Sequence, residues 1–201
     1  MKRKIEQLKK VLNEALQIDE NAIADKIIYK GYKCVRCAKC CKAESGDNTV
    51  SIFPFEIRRI SAKSGLKRGK IAIPTPSEDR DDAGNIHTFE WILEKNGNCM
   101  FLDKDLCKIY GCRPYICSTY PFYLVEGHLM VSECEGLGSA ISKREALKMA
   151  GLLKNRYITE IKESIALLEK FRGFIPSGRG DICVHDSEGE HWLYMKDTDK
   201  I

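Results

Sequence analysis

No stretch of this 201-residue chain approaches the ~18 consecutive apolar residues that a membrane helix needs. The basic opening Met1-Lys2-Arg3-Lys4 is not followed by an apolar core, because Glu6, Gln7, Lys9, Lys10, Asn13 and Glu14 interrupt it. No export signal is therefore expected, and the expected location is the cytoplasm. A strong charge imbalance is lacking too: 33 basic against 29 acidic residues leave a formal +4, too weak a bias to argue for nucleic acid. The sequence has no P-loop, no G-x-G-x-x-G, no G-x-S-x-G and no Cys–His pair at a telling local spacing. The usual signatures of an enzyme are thus missing, and no residue is assigned a catalytic role. Internal repeats and low-complexity tracts are also lacking. What remains is 43% hydrophobic and 31% charged, the composition of a globular chain long enough for a real core without covalent staples. Ten cysteines are then a surplus that needs a reason.

The flanks read as helices. Ile5, Leu8, Leu12 and Ala15 recur at helical spacing against a Lys/Glu face, ending near Ile18. Asp19 suits the cap of a second short helix reaching toward Ile28, with Gly31 as its stop. Ser142-Lys143-Arg144-Glu145 has the capping-box pattern, and Leu147, Ala150, Leu153, Tyr157, Ile161, Ile165 and Leu168 continue one stripe. A helix over 143–170 would be roughly 40 Å long at ~1.5 Å per residue, ended by Gly173, Pro176 and Gly178. Between the flanks, 49–53 reads as a strand and Pro54 as the first turn of a short helix. Residues 63–85 read as a loop, 86–93 as one strand, and Glu126-Gly127 as a hairpin turn between 122–125 and 128–131. A final hairpin is expected from 182–184 and 192–195 around Ser187-Glu188-Gly189-Glu190. His185, His191, Glu188 and Glu190 could bind a metal, but they are expected in and beside that exposed turn instead.

The strongest chemical signal is Cys34-x2-Cys37-x2-Cys40-Cys41. Cysteines separated by two residues can aim their sulfurs at one centre, as zinc and iron–sulfur sites both require. In a reducing compartment such clusters mean metal or redox chemistry. Ten is an even number, so disulfides are arithmetically possible, but an adjacent cysteine pair fits a disulfide ladder poorly. Lys33, Arg36, Lys39 and Lys42 interleave with the thiols and could favour thiolate over thiol, or form a solvated basic edge. Arg58, Arg59, Lys63, Lys67, Arg68 and Lys70 form a basic stretch without interleaved aromatics, so a solvated face is expected there rather than a nucleic-acid interface.

A second group follows: Cys99-Met100-Phe101-Leu102, Cys107-Lys108-Ile109-Tyr110, Arg113-Pro114-Tyr115-Ile116-Cys117 and Tyr120-Pro121. Together with Phe53, Phe55 and Glu56, this order resembles the CxxCxxCC cysteine-cluster family of zinc- or iron-chelating domain proteins, the YkgJ type. In that family the run is followed by an aromatic and Glu segment and then C-x-F-L, C-x-I-Y, R-P-x-x-C and F-P. Tyr120 stands where the family often has Phe. The resemblance covers about 32–138 and implies Cys34, Cys37, Cys40, Cys41, Cys99, Cys107 and Cys117 as metal ligands. Cys134-Glu135-Gly136-Leu137-Gly138 resembles a Cys-Pro-Gly-x-Gly segment of longer members, with Glu135 in place of Pro, which adds Cys134. Cys112 falls where the family varies, and Cys183 lies outside the resemblance as an ordinary buried cysteine.

Seven or eight thiols exceed the four of one structural zinc, so two zinc ions or a larger cluster fit the count. Adjacent Cys40 and Cys41 can serve two centres. The bacterial ferredoxin run fails after its third cysteine, because the fourth is immediate and residue 44 is Glu44. Thiolates suit zinc and iron–sulfur alike, with a slight preference here for the latter. Arg113 is a candidate donor of hydrogen bonds or positive charge to an anionic centre, or equally a surface Arg beside a helix start.

The expected fold is a single small α+β domain, with short strands and hairpins around the cysteine cluster framed by N- and C-terminal helices. Residues 1–31 form a helical segment, 32–138 the cysteine-cluster domain, and 139–201 a long helix plus hairpin packed on it. The expected function is metal binding, with Zn2+ or iron (as an iron–sulfur cluster among the options) as cofactor. No membrane or nucleic-acid partner is expected, and a protein partner is left open. Two alternatives stand beside it. One is a protein-modifying enzyme related to flagellin lysine N-methylases, although no S-adenosylmethionine site is recognisable. The other is a zinc-stabilised binding module for nucleic acid or protein.

Overall fold

The computed structural model describes residues 1–175 and 181–194. Helix α1 runs Lys2–Leu16 and α2 Glu20–Lys30. Asp19 caps α2 by accepting from the Asn21 N–H at 2.8 Å. Gly31 ends it at φ 67°, where an added Cβ would come within 2.7 Å of the Ser139 carbonyl. The long α5, Lys143–Lys170, starts with the expected box: the Ser142 hydroxyl accepts from the Glu145 N–H (3.3 Å), and Glu145 Oε2 accepts from the Ser142 N–H (3.1 Å). It ends at Lys170, three residues before Gly173; Pro176 and Gly178 lie outside the described residues.

α1 and α2 both pack on α5. The α2 contact buries Ile23, Ala24 and Ile27 with Ala146, Ala150, Leu153 and Phe122. The α1 contact buries Ala15 with Ile161 and Ile165. A second core gathers around Ile57, Ile60, Ile71, Trp91, Phe101 and Ile109. Each fully buried Ile or Phe there contributes ~1.5–3 kcal/mol of transfer free energy.

The strands are short. β1 (Ser51–Ile52), β2 (Ala72–Pro74) and β4 (Trp91–Leu93) make one antiparallel sheet in the order β1-β4-β2. β3 (Ile86–Thr88) belongs to a different sheet, paired in parallel with β11 (Ile182–Asp186), which also pairs antiparallel with β12 (Gly189–Leu193). Three further hairpins are β5 (Lys95–Asn96) with β6 (Asn98–Cys99), β7 (Leu102–Asp103) with β8 (Leu106–Cys107), and β9 (Phe122–Val125) with β10 (His128–Val131). α3 is Pro54–Ser64, begun by Pro54 and ended by Gly65, and α4 is the short Tyr115–Thr119.

The expected α+β domain is observed, with two local differences. The single strand expected over 86–93 is two strands in two sheets. Between them the Glu90 carbonyl turns away to accept from the Thr75 N–H (3.0 Å) and hydroxyl (3.1 Å). The expected loop 63–85 contains β2, which sits at the edge of its sheet, where Pro74 is tolerated. No helix among the described residues is long and apolar enough to cross a membrane.

Candidate metal centre

Five chain segments carry the cysteines, and a specific contact ties down each junction. The chain entering Cys34 pairs with the chain leaving Cys134: the Lys33 N–H donates to the Gly136 carbonyl at 2.9 Å, and Tyr32 bridges to Leu137. Only glycine fits at 136, because a Cβ there would lie 2.2 Å from the Lys33 carbonyl oxygen. Cys41 sits in a 3-10 turn, Lys39–Cys41, beside the β5–β6 hairpin. Asn48 Nδ2 clamps the two by donating to the carbonyls of Cys41 (3.1 Å) and Gly97 (2.9 Å), while the Ala43 N–H donates to Asn98 Oδ1 (2.9 Å). Arg36 and Ala38, on either side of Cys37, take left-handed backbone at φ 55° and 59°. That conformation costs a side-chain-bearing residue about 1–2 kcal/mol.

Glu56 places Cys117. Its carboxylate is buried at 1% exposure. Oε2 accepts from the Phe53 N–H at the start of α3 (3.2 Å), and Oε1 accepts from the Tyr115 N–H at the start of α4 (2.7 Å). One side chain thus caps two helices, with Arg59 Nη2 3.5 Å from the carboxylate and donating to the Arg113 carbonyl. Phe55 packs against Phe53 (5.9 Å between centroids) and Tyr115 (6.1 Å). The aromatic and Glu segment is therefore the mount for the α4 cysteine.

The thiols act on one another. Cys40 and Cys41 Sγ are 3.9 Å apart. The Cys41 thiol hydrogen-bonds Cys40 and Cys99, which lowers Cys40 to about 6 and Cys99 to about 7 and raises Cys41 itself. Burial, then the negative charge of Cys99 and Cys40, pushes Cys117 up to about 12. Burial raises Cys107 as well, helped by Cys99 and Cys112. Burial raises Cys134, helped by Cys37, Cys34 and Cys40, although the Gly136 N–H donates to its sulfur at 3.4 Å. Cys34, Cys37 and Cys134 therefore neighbour one end of the cluster, Cys41, Cys99, Cys107 and Cys117 the other, and Cys40 feels both. The set stays open: no three of these sulfurs lie within 4.8 Å of one another. The donor set fits the zinc or iron that such a pattern implies: soft thiols, part-buried and crowded, with mutual repulsion that a cation would relieve.

Arg113 is the cation whose charge acts on several thiols at once, favouring the thiolate at Cys40, Cys107 and Cys117. Its guanidinium lies 3.8 Å over the Tyr110 ring, and Nε donates to the Tyr110 carbonyl. Lys39 and Lys42, interleaved with the thiols, feel the Cys37 charge but are engaged chiefly by carboxylates. Lys39 pairs with Glu135, and Lys42 pairs with Asp105 at 2.6 Å, which clips the Cys37–Cys41 turn to the Cys134 loop and to the β7–β8 hairpin. The basic stretch is likewise engaged within the protein. Arg58 pairs with Glu188, and Arg68 pairs with Asp186 at 3.2 Å while lying 4.5 Å over the Trp91 ring.

His185 is a candidate metal ligand in the sequence, but its partners in a second group, His87 and Cys183, were missed there. His185 is not in an exposed turn but on β11, 2% exposed, and with His87 and Cys183 it forms the one three-ligand group among the described residues whose donor atoms all lie within 4.8 Å of one another. Parallel pairing sets Cys183 beside His87, and strand alternation puts His185 on the same face as Cys183. His87 Nδ1 is 2.7 Å from His185 Nε2, and His87 Nε2 is 3.2 Å from Asp81 Oδ2. Cys183-Val184-His185 within an apolar strand was the available signal. Its partner His87 is 96 residues away from Cys183.

A search of curated proteins and one of solved structures found no match to this chain. The model of the CxxCxxCC family, described as "Putative zinc- or iron-chelating domain", matches residues 33–136, from the residue before Cys34 to the glycine that closes the Cys134 loop. That span exceeds half of the chain and includes all eight cysteines of the open cluster, so the protein belongs to the CxxCxxCC family.

Proposed function

We propose that this protein is a metal-binding protein that holds zinc or iron through Cys34, Cys37, Cys40, Cys41, Cys99, Cys107, Cys117 and Cys134. The observation that carries the reading is the convergence of five separate segments, held by contacts between them. Gly136 is locked to Lys33, Asn48 to Cys41 and Gly97, and Glu56 to Tyr115. An ordinary core does not need a glycine-only backbone approach and left-handed residues on both sides of a cysteine to gather thiols at a part-exposed face. Bound there, the metal would supply cross-links between segments and, as an iron–sulfur centre, electron-transfer capacity. Cys34, Cys37 and Cys134 would serve one end, Cys41, Cys99, Cys107 and Cys117 the other, with Arg113 offsetting the thiolate charge. Such a centre with free thiols suits a reducing compartment, which favours the cytoplasm.

Anaerobic purification followed by metal analysis and a visible spectrum tests the proposal. Iron and sulfide in near-equal amounts in a brown protein identify a cluster, and a colourless protein with zinc identifies a structural centre. A folded, fully reduced protein that takes up neither metal overturns it.

A further inference from the structure

The geometry points to a second metal site, independent of the cysteine cluster: His87, Cys183 and His185 form a buried His2Cys site for one divalent transition ion of the zinc class. The donors are of the right kind, two imidazoles and one thiol. They sit on one face of the β3–β11 sheet, with His87 at 0%, Cys183 at 0% and His185 at 2% exposure. In a tetrahedral zinc site, with Zn–N of ~2.0–2.1 Å and Zn–S of ~2.3 Å, donor atoms lie roughly 3.3–3.7 Å apart. The 2.7 Å between His87 Nδ1 and His185 Nε2 must open by somewhat more than half an ångström, and the thiol already lies within 4.8 Å of both.

The surroundings prepare the site. Asp81 accepts from His87 Nε2–H and so leaves the Nδ1 lone pair of His87 facing His185 and Cys183, the carboxylate–histidine arrangement that orients metal ligands. Asp81 is itself held by the Ala83 and Asn85 N–H groups (both 2.9 Å) and Asn85 Nδ2 (2.8 Å). Phe174 stacks on His87 at 4.5 Å between centroids, Phe171 meets His185 edge-on at 5.1 Å, and Trp192 flanks His87 at 5.7 Å. The charges balance: a divalent cation, one Cys183 thiolate and one Asp81 carboxylate sum to zero, which is what a buried ion requires. With His87 protonated on Nε2, His185 Nε2–H is the donor to His87 Nδ1, so loading moves the His185 proton from Nε2 to Nδ1 and releases the thiol proton of Cys183 to solvent. The burial of all three donors leaves them facing one another rather than a substrate cleft, and the ion's role is to fasten β11, which lies outside the family-matched region, onto β3 within it.

The test is X-ray absorption at the zinc edge on the full chain reconstituted with Zn2+ alone, with zinc counted per chain. The expected result for the unmodified protein is a component with imidazole scattering beside sulfur. His185→Gln and Cys183→Ala, checked for folding by circular dichroism, should each hold one zinc fewer and lose the imidazole component, while Asp81→Asn should weaken that zinc by about 10–100-fold. A zinc edge of the unmodified protein fitted by sulfur alone overturns the proposal without recourse to any variant, and so does wild-type zinc content in the folded variants. Imidazole–thiolate zinc without an all-sulfur component would fail the zinc form of the cysteine centre and leave this site standing.

Discussion

Replacing Glu56 by Ala removes the acceptor of two backbone donors at once, the N–H groups of Phe53 and Tyr115. Hydrogen bonds to a charged group contribute ~1.5–3 kcal/mol each, so the pair is worth ~3–6 kcal/mol. The lower end applies, because burial holds the Glu56 carboxyl above its ordinary range: bonds from Tyr115 and Phe53 and the charge of Arg59 do not fully offset desolvation. We expect Glu56→Ala to cost ~3 kcal/mol, a fall in Tm of about 6–12 °C for a chain of this size. Glu56→Gln keeps one acceptor and should lose roughly half as much at pH 7. The sign of the pH dependence follows from the raised native pKa. The native state binds this proton more tightly than the unfolded chain, so the contribution is fully present below the unfolded value and is lost as pH rises through the folded one. The disadvantage of Glu56→Gln against wild type should therefore shrink as the pH moves from below the unfolded pKa to above the folded one. Denaturant unfolding at several pH values measures this. A loss below ~1 kcal/mol for Glu56→Ala, or a gap to Glu56→Gln that widens with pH, refutes the reasoning.

Gly136→Ala drives a Cβ into the Lys33 carbonyl and breaks the 2.9 Å bond between these residues, so it should cost about 2–4 kcal/mol and lower metal content at the Cys34–Cys134 end; thermal unfolding and metal analysis read both. Ser142→Ala removes the side-chain acceptor at the start of α5 and should cost about 1 kcal/mol, a Tm shift of a few degrees, with metal content unchanged. Lys39→Ala severs only an exposed ion pair with Glu135 and should leave the denaturation midpoint within error of wild type.

The parts legible in the sequence are those fixed by neighbours in the chain. Asp19, Ser142, Gly31 and the apolar stripe of α5 gave helix limits close to those observed, and Glu126-Gly127 gave the β9–β10 hairpin. Cysteine spacing and order pointed to the family before any fold was known. What escaped depends on long-range pairing. β2 is a strand because β4 lies beside it, and 86–93 splits because Glu90 is drawn to Thr75. His185 looked like a turn residue because the sequence does not reveal that β3 runs in parallel alongside β11. Lys39 and Lys42 do lie within reach of the Cys37 charge, and what the sequence could not show is that their main partners are Glu135 and Asp105, from segments 63 or more residues away. Arg113 was the candidate that the geometry favoured.

The region around the second cysteine group has little to hold it by itself. Its strands β5 to β8 are two residues each, and between residues 94 and 112 only Phe101 and Ile109 are buried. Ordering backbone costs ~1–2 kcal/mol per residue, far more than two buried side chains return. The α5 side of the molecule is different: Ala146, Ala150, Leu153, Ile161 and Ile165 are all buried against α1, α2 and Phe122. If thiolate–metal bonds make up the difference, the two sides should separate when the metal is removed. Chelation of the loaded protein at neutral pH should then raise amide exchange over 94–112 and the 34–41 segment by at least tenfold, while the central amides of α5 stay protected. Hydrogen exchange read by mass spectrometry before and after chelation distinguishes the cases. Equal protection of 94–112 in both states would mean that the contacts of Asn48, Glu56 and Gly136 suffice without a metal, and the cysteine centre would lose its structural role.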